Sequence, residues 1–234
     1  MYKRILLKLS GEQLAGKYDS GVDTELMAWL ADQIKPVIQA GTEVVIMVGG
    51  GNYARGAQLA GHGIGRVTAD NIGMLATIMN AVALSDVFNA HDVTARALTI
   101  VRAPQIADYF THRRALGDLT KGHVVIAAGG TGRPYVTTDT AALSFALELE
   151  CEVVFKATKV DGVYDRDPAK FPDAQLVPEI SFEDAVSDNA IRVMDKAALG
   201  LAAEYKLPVM VFNAMQEGAI AKACRGEAVG TKIG

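Results

Sequence analysis

The sequence predicts an α/β fold built on a mainly parallel sheet, and three observations carry that expectation. Short apolar, β-branched runs alternate with longer stretches of helical period, the pattern of successive βαβ units. Glycine clusters stand where several of those runs end, as strand-to-helix turns require. Half of the 234 residues are hydrophobic, which in a chain of this length supports a substantial core.

The strand candidates, in order, are residues 4–9, 43–48, 93–99, 123–128, 152–156 and 208–212. Each is a short run rich in Val, Ile, Leu or Phe, bounded by glycine or polar residues. The helix candidates between them are 23–40, 69–89, 138–148 and 194–205. In the first of these, Leu26, Leu30, Ile34 and Val37 fall three or four residues apart on one face, and Gly41 follows where a C-terminal cap belongs. The segment 164–182 carries Pro168, Pro172 and Pro178 with several aspartates and no period, so it reads as a long irregular connection of the kind that often serves function. No internal repeat or flexible linker stands out, and a lobe boundary near residue 150 is soft.

Charge and cysteine content exclude several classes. With 23 basic and 27 acidic residues the formal charge is −4, which disfavours bulk attraction to nucleic acid or anionic membrane and makes any phosphate binding local. Cys151 and Cys224 are too few for a disulfide framework and lack metal-ligand spacing, so a reducing compartment is expected. The opening apolar run is broken by Lys8 and Ser10, too soon for a signal peptide, and no uninterrupted apolar run approaches the ~18 residues of a membrane span. The expectation is a cytoplasmic protein.

Three glycine-bearing segments close strands, where ligands of open α/β sheets bind. They are Lys8-Leu9-Ser10-Gly11, Gly49-Gly50-Gly51-Asn52 with Arg55 beyond it, and Gly129-Gly130-Thr131-Gly132, the last followed by a helix starting near Thr138. Glycine admits positive φ and lets backbone N–H groups approach a phosphate, and first-turn amides of the following helix add to an anion site. One such turn is weak evidence; three at corresponding strand ends are stronger. The span from Gly11 to Lys17 matches P-loop spacing, but Tyr18 stands where a metal-holding Ser or Thr is required, so it is rejected. Nor does a G-x-G-x-x-G follow the first strand, which argues against a dinucleotide dehydrogenase.

The charges beside the turns suit phosphoryl transfer, in which positioned cations and dipoles carry most of the catalysis. Lys8 interrupts an apolar strand, a costly place unless it is paired or faces a ligand. Arg55 can fork onto phosphate oxygens. Asp139, in the first turn of a helix, either serves the helix dipole or holds Lys8. His62, His91, His112 and His123 lack ligand spacing and lie in no nucleophile motif. A phosphate acceptor would need no general base, because it is largely ionised at neutral pH.

Together these segments resemble the bacterial UMP kinases of the amino-acid kinase family. The match covers Lys3 to Thr231 and rests on the segment from Lys3 to Glu12, Gly49-Gly50-Gly51-Asn52, Val67-Thr68-Ala69-Asp70, Gly73-Met74-Leu75-Ala76-Thr77, Thr137-Thr138-Asp139-Thr140-Ala141-Ala142 and the run from Lys156 to Tyr164. The resemblance implies a three-layer α/β/α sandwich of the carbamate kinase-like type, one domain with a UMP-binding lobe (about 1–150) and an ATP-binding lobe (about 151–234). It implies transfer of the γ-phosphoryl group of ATP to UMP in pyrimidine biosynthesis, with Lys8, Arg55 and Asp139 catalytic. ATP would meet Lys8, Leu9, Ser10, Gly11, Gly51, Arg55, Thr158, Tyr164 and Asp167. UMP would meet Gly50, Asp70, Thr131, Gly132, Arg133, Pro134, Tyr135, Val136, Thr137 and Thr138. Mg²⁺ would travel with ATP rather than on protein ligands. A homohexamer, GTP activation and UTP inhibition are also implied. Departures include Arg133 for a familiar asparagine, Tyr135-Val136 for an aromatic pair, and residues 16–22 without the usual glycine-rich, effector-associated sequence, so the resemblance carries GTP regulation less firmly than the reaction. Two other readings stay open: a carbamate, glutamate or aspartate kinase, and a non-catalytic nucleotide or oxyanion storage protein on the same fold.

Overall fold

The computed structural model describes residues 1–54, 59, 63–166, 168, 170–188 and 193–234. The first half runs β1 (Arg4–Leu9), α1 (Gly11–Leu14), α2 (Thr24–Gln39), β2 (Glu43–Val48), α3 (Arg66–Ala90), β3 (Ala95–Thr99), β4 (Asp108–Tyr109), α4 (His112–Leu119) and β5 (Val124–Ala128). The second half runs α5 (Thr138–Glu148), β6 (Val153–Ala157), β7 (Glu179–Ile180), α6 (Phe182–Ser187), α7 (Lys196–Tyr205), β8 (Val209–Phe212), α8 (Ala219–Cys224) and β9 (Thr231–Ile233).

Among the described residues nine strands form one sheet in the order β4-β3-β5-β2-β1-β6-β8-β9-β7. The pairs from β4 across to β8 are parallel, β9 pairs antiparallel with β8, and β7 pairs parallel with β9, so the last two strands run against the rest. The predicted mainly parallel sheet is therefore present. Its central strands are covered on both faces, which explains why they read as near-continuous apolar runs. In β1, Ile5, Leu7 and Leu9 enter one core, shared with α2, α3 and α8. Leu6 enters the other, shared with α4, α5 and α7. Helices thus lie on both faces, giving the three layers.

The strands end where their carboxyl-terminal turns can meet. Lys8 pairs with Met47 on one side and with Lys156 on the other, and Met47 pairs with Ala127. The turns after β1, β2, β5 and β6 consequently share one edge. On one side of β1 the order runs to β2 and β5, on the other to β6 and β8, so β1 and β6 flank the point where the winding reverses and a ligand crevice opens.

The expected helix at 69–89 begins earlier, at Arg66, and extends through Ala90. By length and composition this helix could cross a membrane, although no unbroken apolar run in the sequence suggests it. Its Ile78, Ala81, Leu84 and Phe88 are buried in the core against the sheet. Among its described residues the segment 164–182 is largely irregular, as expected, with a bridge between Tyr164 and Leu176 and with β7 near its end.

Candidate active site

Lys8 and Lys156 occupy opposed positions on adjacent parallel strands, so both side chains leave the sheet on the α5 face. Asp139 meets them there from the first turn of α5, whose N-cap Thr137 accepts the Asp139 and Thr140 N–H groups. The Lys8 Nζ lies 2.8 Å from Asp139 Oδ1 and the Lys156 Nζ lies 2.5 Å from Oδ2. All three side chains are nearly buried, at 8%, 12% and 13% exposed.

Burial alone would raise the Asp139 carboxyl, but the charges of Lys8 and Lys156, with their hydrogen bonds, outweigh it and hold the group below its ordinary value. Burial and the like charge of Lys8 lower the Lys156 ammonium to about 8, against the pull of Asp139. The array is two ammonium groups on one carboxylate. Its net positive charge sits where the strands end, suited to the charge of a phosphoryl group in flight.

The first two glycine turns pack against each other. A Cβ on Gly11 would collide with the Asn52 side chain and come within 2.6 Å of the Gly51 nitrogen, and one on Gly51 would lie 2.6 Å from Glu12 Oε1. None of Gly49, Gly50 and Gly51 has positive φ, so close approach, not backbone handedness, requires glycine in this turn. The third turn differs: Gly129, Gly130 and Gly132 have φ of 85°, 55° and 71°, a region that favours glycine. Ser10 accepts the Gln13 N–H and its own N–H donates to Gln13 Oε1, so this residue is engaged in a capping box. Leu9 is fully buried and can meet a ligand only through its backbone.

Gly50, Asp70, Thr131, Arg133, Val136 and Thr138 line one cleft of about 130 Å³ between the second and third turns. Asp70 accepts the Tyr135 N–H at 2.8 Å and pairs with Arg66, whose guanidinium lies 5.1 Å from the Tyr135 ring centre. Tyr135 itself has φ of 65° and is two-thirds exposed. Gly132, Pro134 and Thr137 lie on the same loop but outside that lining, and the Thr137 hydroxyl is committed to the α5 cap and to Asp195. On the other side, Thr158 closes β6 by donating its N–H to Phe212 O at 3.0 Å, and half-buried Tyr164 stands beyond it. Arg55 and Asp167 lie outside the described residues. A larger cavity, about 880 Å³, runs along the outer face of α3 and contains none of the candidate site residues.

A profile of the amino acid kinase family matches residues 3–213. The chain belongs to the amino acid kinase family. It is 43% identical over 233 residues to a uridylate kinase of Methylococcus capsulatus, spanning 100% of this chain and 97% of that relative. A solved UMP kinase from Bacillus anthracis matches with a TM-score of 0.94 at 38% identity, covering 99% of this chain and 96% of that one. A UMP kinase from Ureaplasma parvum matches with a TM-score of 0.92 at 33% identity, covering 100% and 99%. The sandwich described above is the fold of these family members, and the chain is a phosphotransferase of that family.

One feature of this family member's site was not assigned from sequence. Lys156 had no role, although a lysine interrupting the apolar run Val153–Ala157 is the same signal that singled out Lys8. The rejected P-loop match is a short capped helix, and its Lys17 pairs with Glu25 at the surface.

Proposed function

We propose that this chain transfers the γ-phosphoryl group of MgATP to UMP, giving ADP and UDP, for pyrimidine nucleotide synthesis in the cytoplasm. The observation that carries the reading is the Lys8–Asp139–Lys156 array, set between the paired turns at Gly11 and Gly51 and the cleft at Asp70 and Thr138. The ATP phosphates lie over Ser10, Gly11 and Gly51, with the adenosine toward Thr158, Tyr164 and Asp167 in the C-terminal lobe. UMP occupies the N-terminal lobe, its ribose on Asp70 and its phosphate between Gly50 and the stretch 131–138. The two ammonium groups and Arg55 stabilise the moving charge in an in-line transfer.

Both Asp139 oxygens face lysine, so this carboxylate is not free to hold a cation. In this reading Mg²⁺ enters as part of the MgATP substrate. The UMP acceptor, already ionised, needs no base.

A homohexamer activated by GTP and inhibited by UTP belongs to the same proposal. UTP would compete through its uridine at the acceptor cleft. A triphosphate effector would find an excess of positive charge in a hollow of about 550 Å³ lined by Arg96, Arg113, Arg114 and Lys121 together with Asp108, which pairs with Arg114, and Asp118.

A coupled ADP-release assay with UMP, CMP and dUMP, each with and without GTP or UTP, is the test. UMP-dependent turnover exceeding that with CMP and dUMP is expected, and its absence refutes the reading. Turnover on carbamate, glutamate or aspartate instead would favour the other kinases of the family.

A further inference from the structure

Helix α3 holds both glycine walls of the acceptor cleft through one stripe of polar side chains. Asp70, Thr77 and Asn80 fall on a single helical face. Thr77 is 2% exposed; its Oγ1 donates to Met74 O at 2.7 Å and accepts the buried Gly129 N–H at 2.7 Å. Asn80 is fully buried, and its Nδ2 donates to Gly49 O and to Asn52 Oδ1, each at 2.7 Å. Its Oδ1 accepts from Asn52 Nδ2 at 2.9 Å, and the same Asn52 nitrogen reaches Gly21 O at 2.5 Å.

On the N-terminal side of these two contacts the Gly50 backbone presses on the helix. A Cβ there would come within 2.7 Å of Gly73 O and 2.8 Å of the Ala76 methyl. The turn after β2 and the turn after β5 are thus fixed to one rigid element one helical turn apart. Apolar residues would pack this face without needing partners, as Ile78, Ala81, Leu84 and Phe88 do beside it. Hydrogen bonds add direction: they define where each backbone turn sits.

We propose that Thr77 and Asn80 are positioning residues for the phosphoryl transfer. By fastening Gly129 and Gly49 to the same helix they set the gap between Gly50 on one wall and Gly130 and Thr131 on the other, the gap in which the acceptor phosphate is seated. The proposal rests on the UMP kinase reading above.

Steady-state kinetics on the full chain test it. Thr77→Val keeps the shape of the side chain and leaves the Gly129 N–H unpaired. It is expected to raise the UMP KM about tenfold, the scale of one lost hydrogen bond. The ATP KM is expected to stay within roughly twofold, since the third turn does not serve the donor, and Thr77→Ser, which restores the hydroxyl, is expected to recover most of the UMP affinity. Asn80→Ala, which frees the turn shared by both substrates, is expected to lower kcat about tenfold. If Thr77→Val does not fold, Thr77→Ala carries the same comparison. A lowered thermal midpoint with kcat and both KM values unchanged would overturn the proposal, as would equal damage from Thr77→Ser and Thr77→Val. Wild-type protein without UMP-dependent turnover removes the functional reading and this proposal together, whereas turnover with unaltered KM removes the proposal alone.

Discussion

Burial on the α5 face and the charge of Lys8 lower the Lys156 ammonium to about 8, so the second cation of the array is charged at neutral pH and is lost soon above it. For free enzyme and substrates, kcat/KM for MgATP is expected to fall above about pH 8. In the bound complex the phosphates favour the charged form, so the corresponding limb of kcat moves to higher pH. Lys156→Arg keeps a charge that cannot be titrated, and should remove the alkaline limb even if the rate is lower. A pH profile of kcat/KM for both proteins checks this, and an identical limb in Lys156→Arg counts against the assignment.

The same shift has a stability consequence of definite sign. Between about 8 and the ordinary 10.5 the unfolded lysine binds a proton that the folded one does not, so this group makes stability rise with pH in that window. Asp139 acts oppositely: its contribution is present above the ordinary carboxylate value and is lost as pH falls through its lower folded value. Lys8 and Asp139 were legible because a lysine in a buried strand demands a partner and a helix start can supply one. Lys156 gave the same signal on a shorter strand. The register that sets it beside Lys8 is a long-range pairing no local pattern contains.

At the scale of elements, one carboxylate joins the starts of α5 and α7. Asp195 caps α7 by accepting the Ala198 N–H at 2.9 Å, and it also accepts the Thr140 hydroxyl at 2.9 Å and that of Thr137. Because Asp139 lies in the first turn of α5, this joint also frames the lysine array. Asp195→Ala is expected to lower the unfolding free energy by about 1–2 kcal/mol, the cost of a lost cap, with Asp195→Asn recovering much of it. Urea unfolding with an unchanged m-value is the measurement, and an unchanged midpoint in Asp195→Ala would show that the joint contributes nothing. Elements with strong local signals were read closely: Arg4–Leu9, Glu43–Val48 and Thr138–Glu148 match their predicted bounds. The segments passed over are short. Strands Asp108–Tyr109 and Glu179–Ile180 have two residues each, too few for alternation to register, and they exist because a sheet edge lies beside them. Helix His112–Leu119 is mostly polar and buries only Ala115 and Leu119, so its apolar face is too narrow to stand out.

For the whole molecule, strand order was beyond local pattern, but the shared edge of the turns followed once the strands were parallel. What remains unbalanced in the folded chain is the outer side of α3. Val67, Leu75 and Met79 are 48%, 53% and 50% exposed there. Leu75 and Met79 line the 880 Å³ groove, whose opposite wall carries Ile106, 64% exposed, with Asp86, Asn89, Arg96 and Asp108 at the polar margin. An apolar surface with a polar rim of this kind marks an interaction site. The homohexamer proposed above makes a second copy of the chain its occupant. Sedimentation should then find the wild type larger than one chain, and the paired change Leu75→Glu with Met79→Glu should shift it to lower mass. The opposite face of the same helix holds Gly49 and Gly129. Loss of the partner should therefore loosen the acceptor cleft, raising the UMP KM more than the ATP KM. A wild type that sediments as a single chain at micromolar concentration refutes the assembly. A smaller species with unchanged UMP KM would leave the assembly standing and break its link to the site.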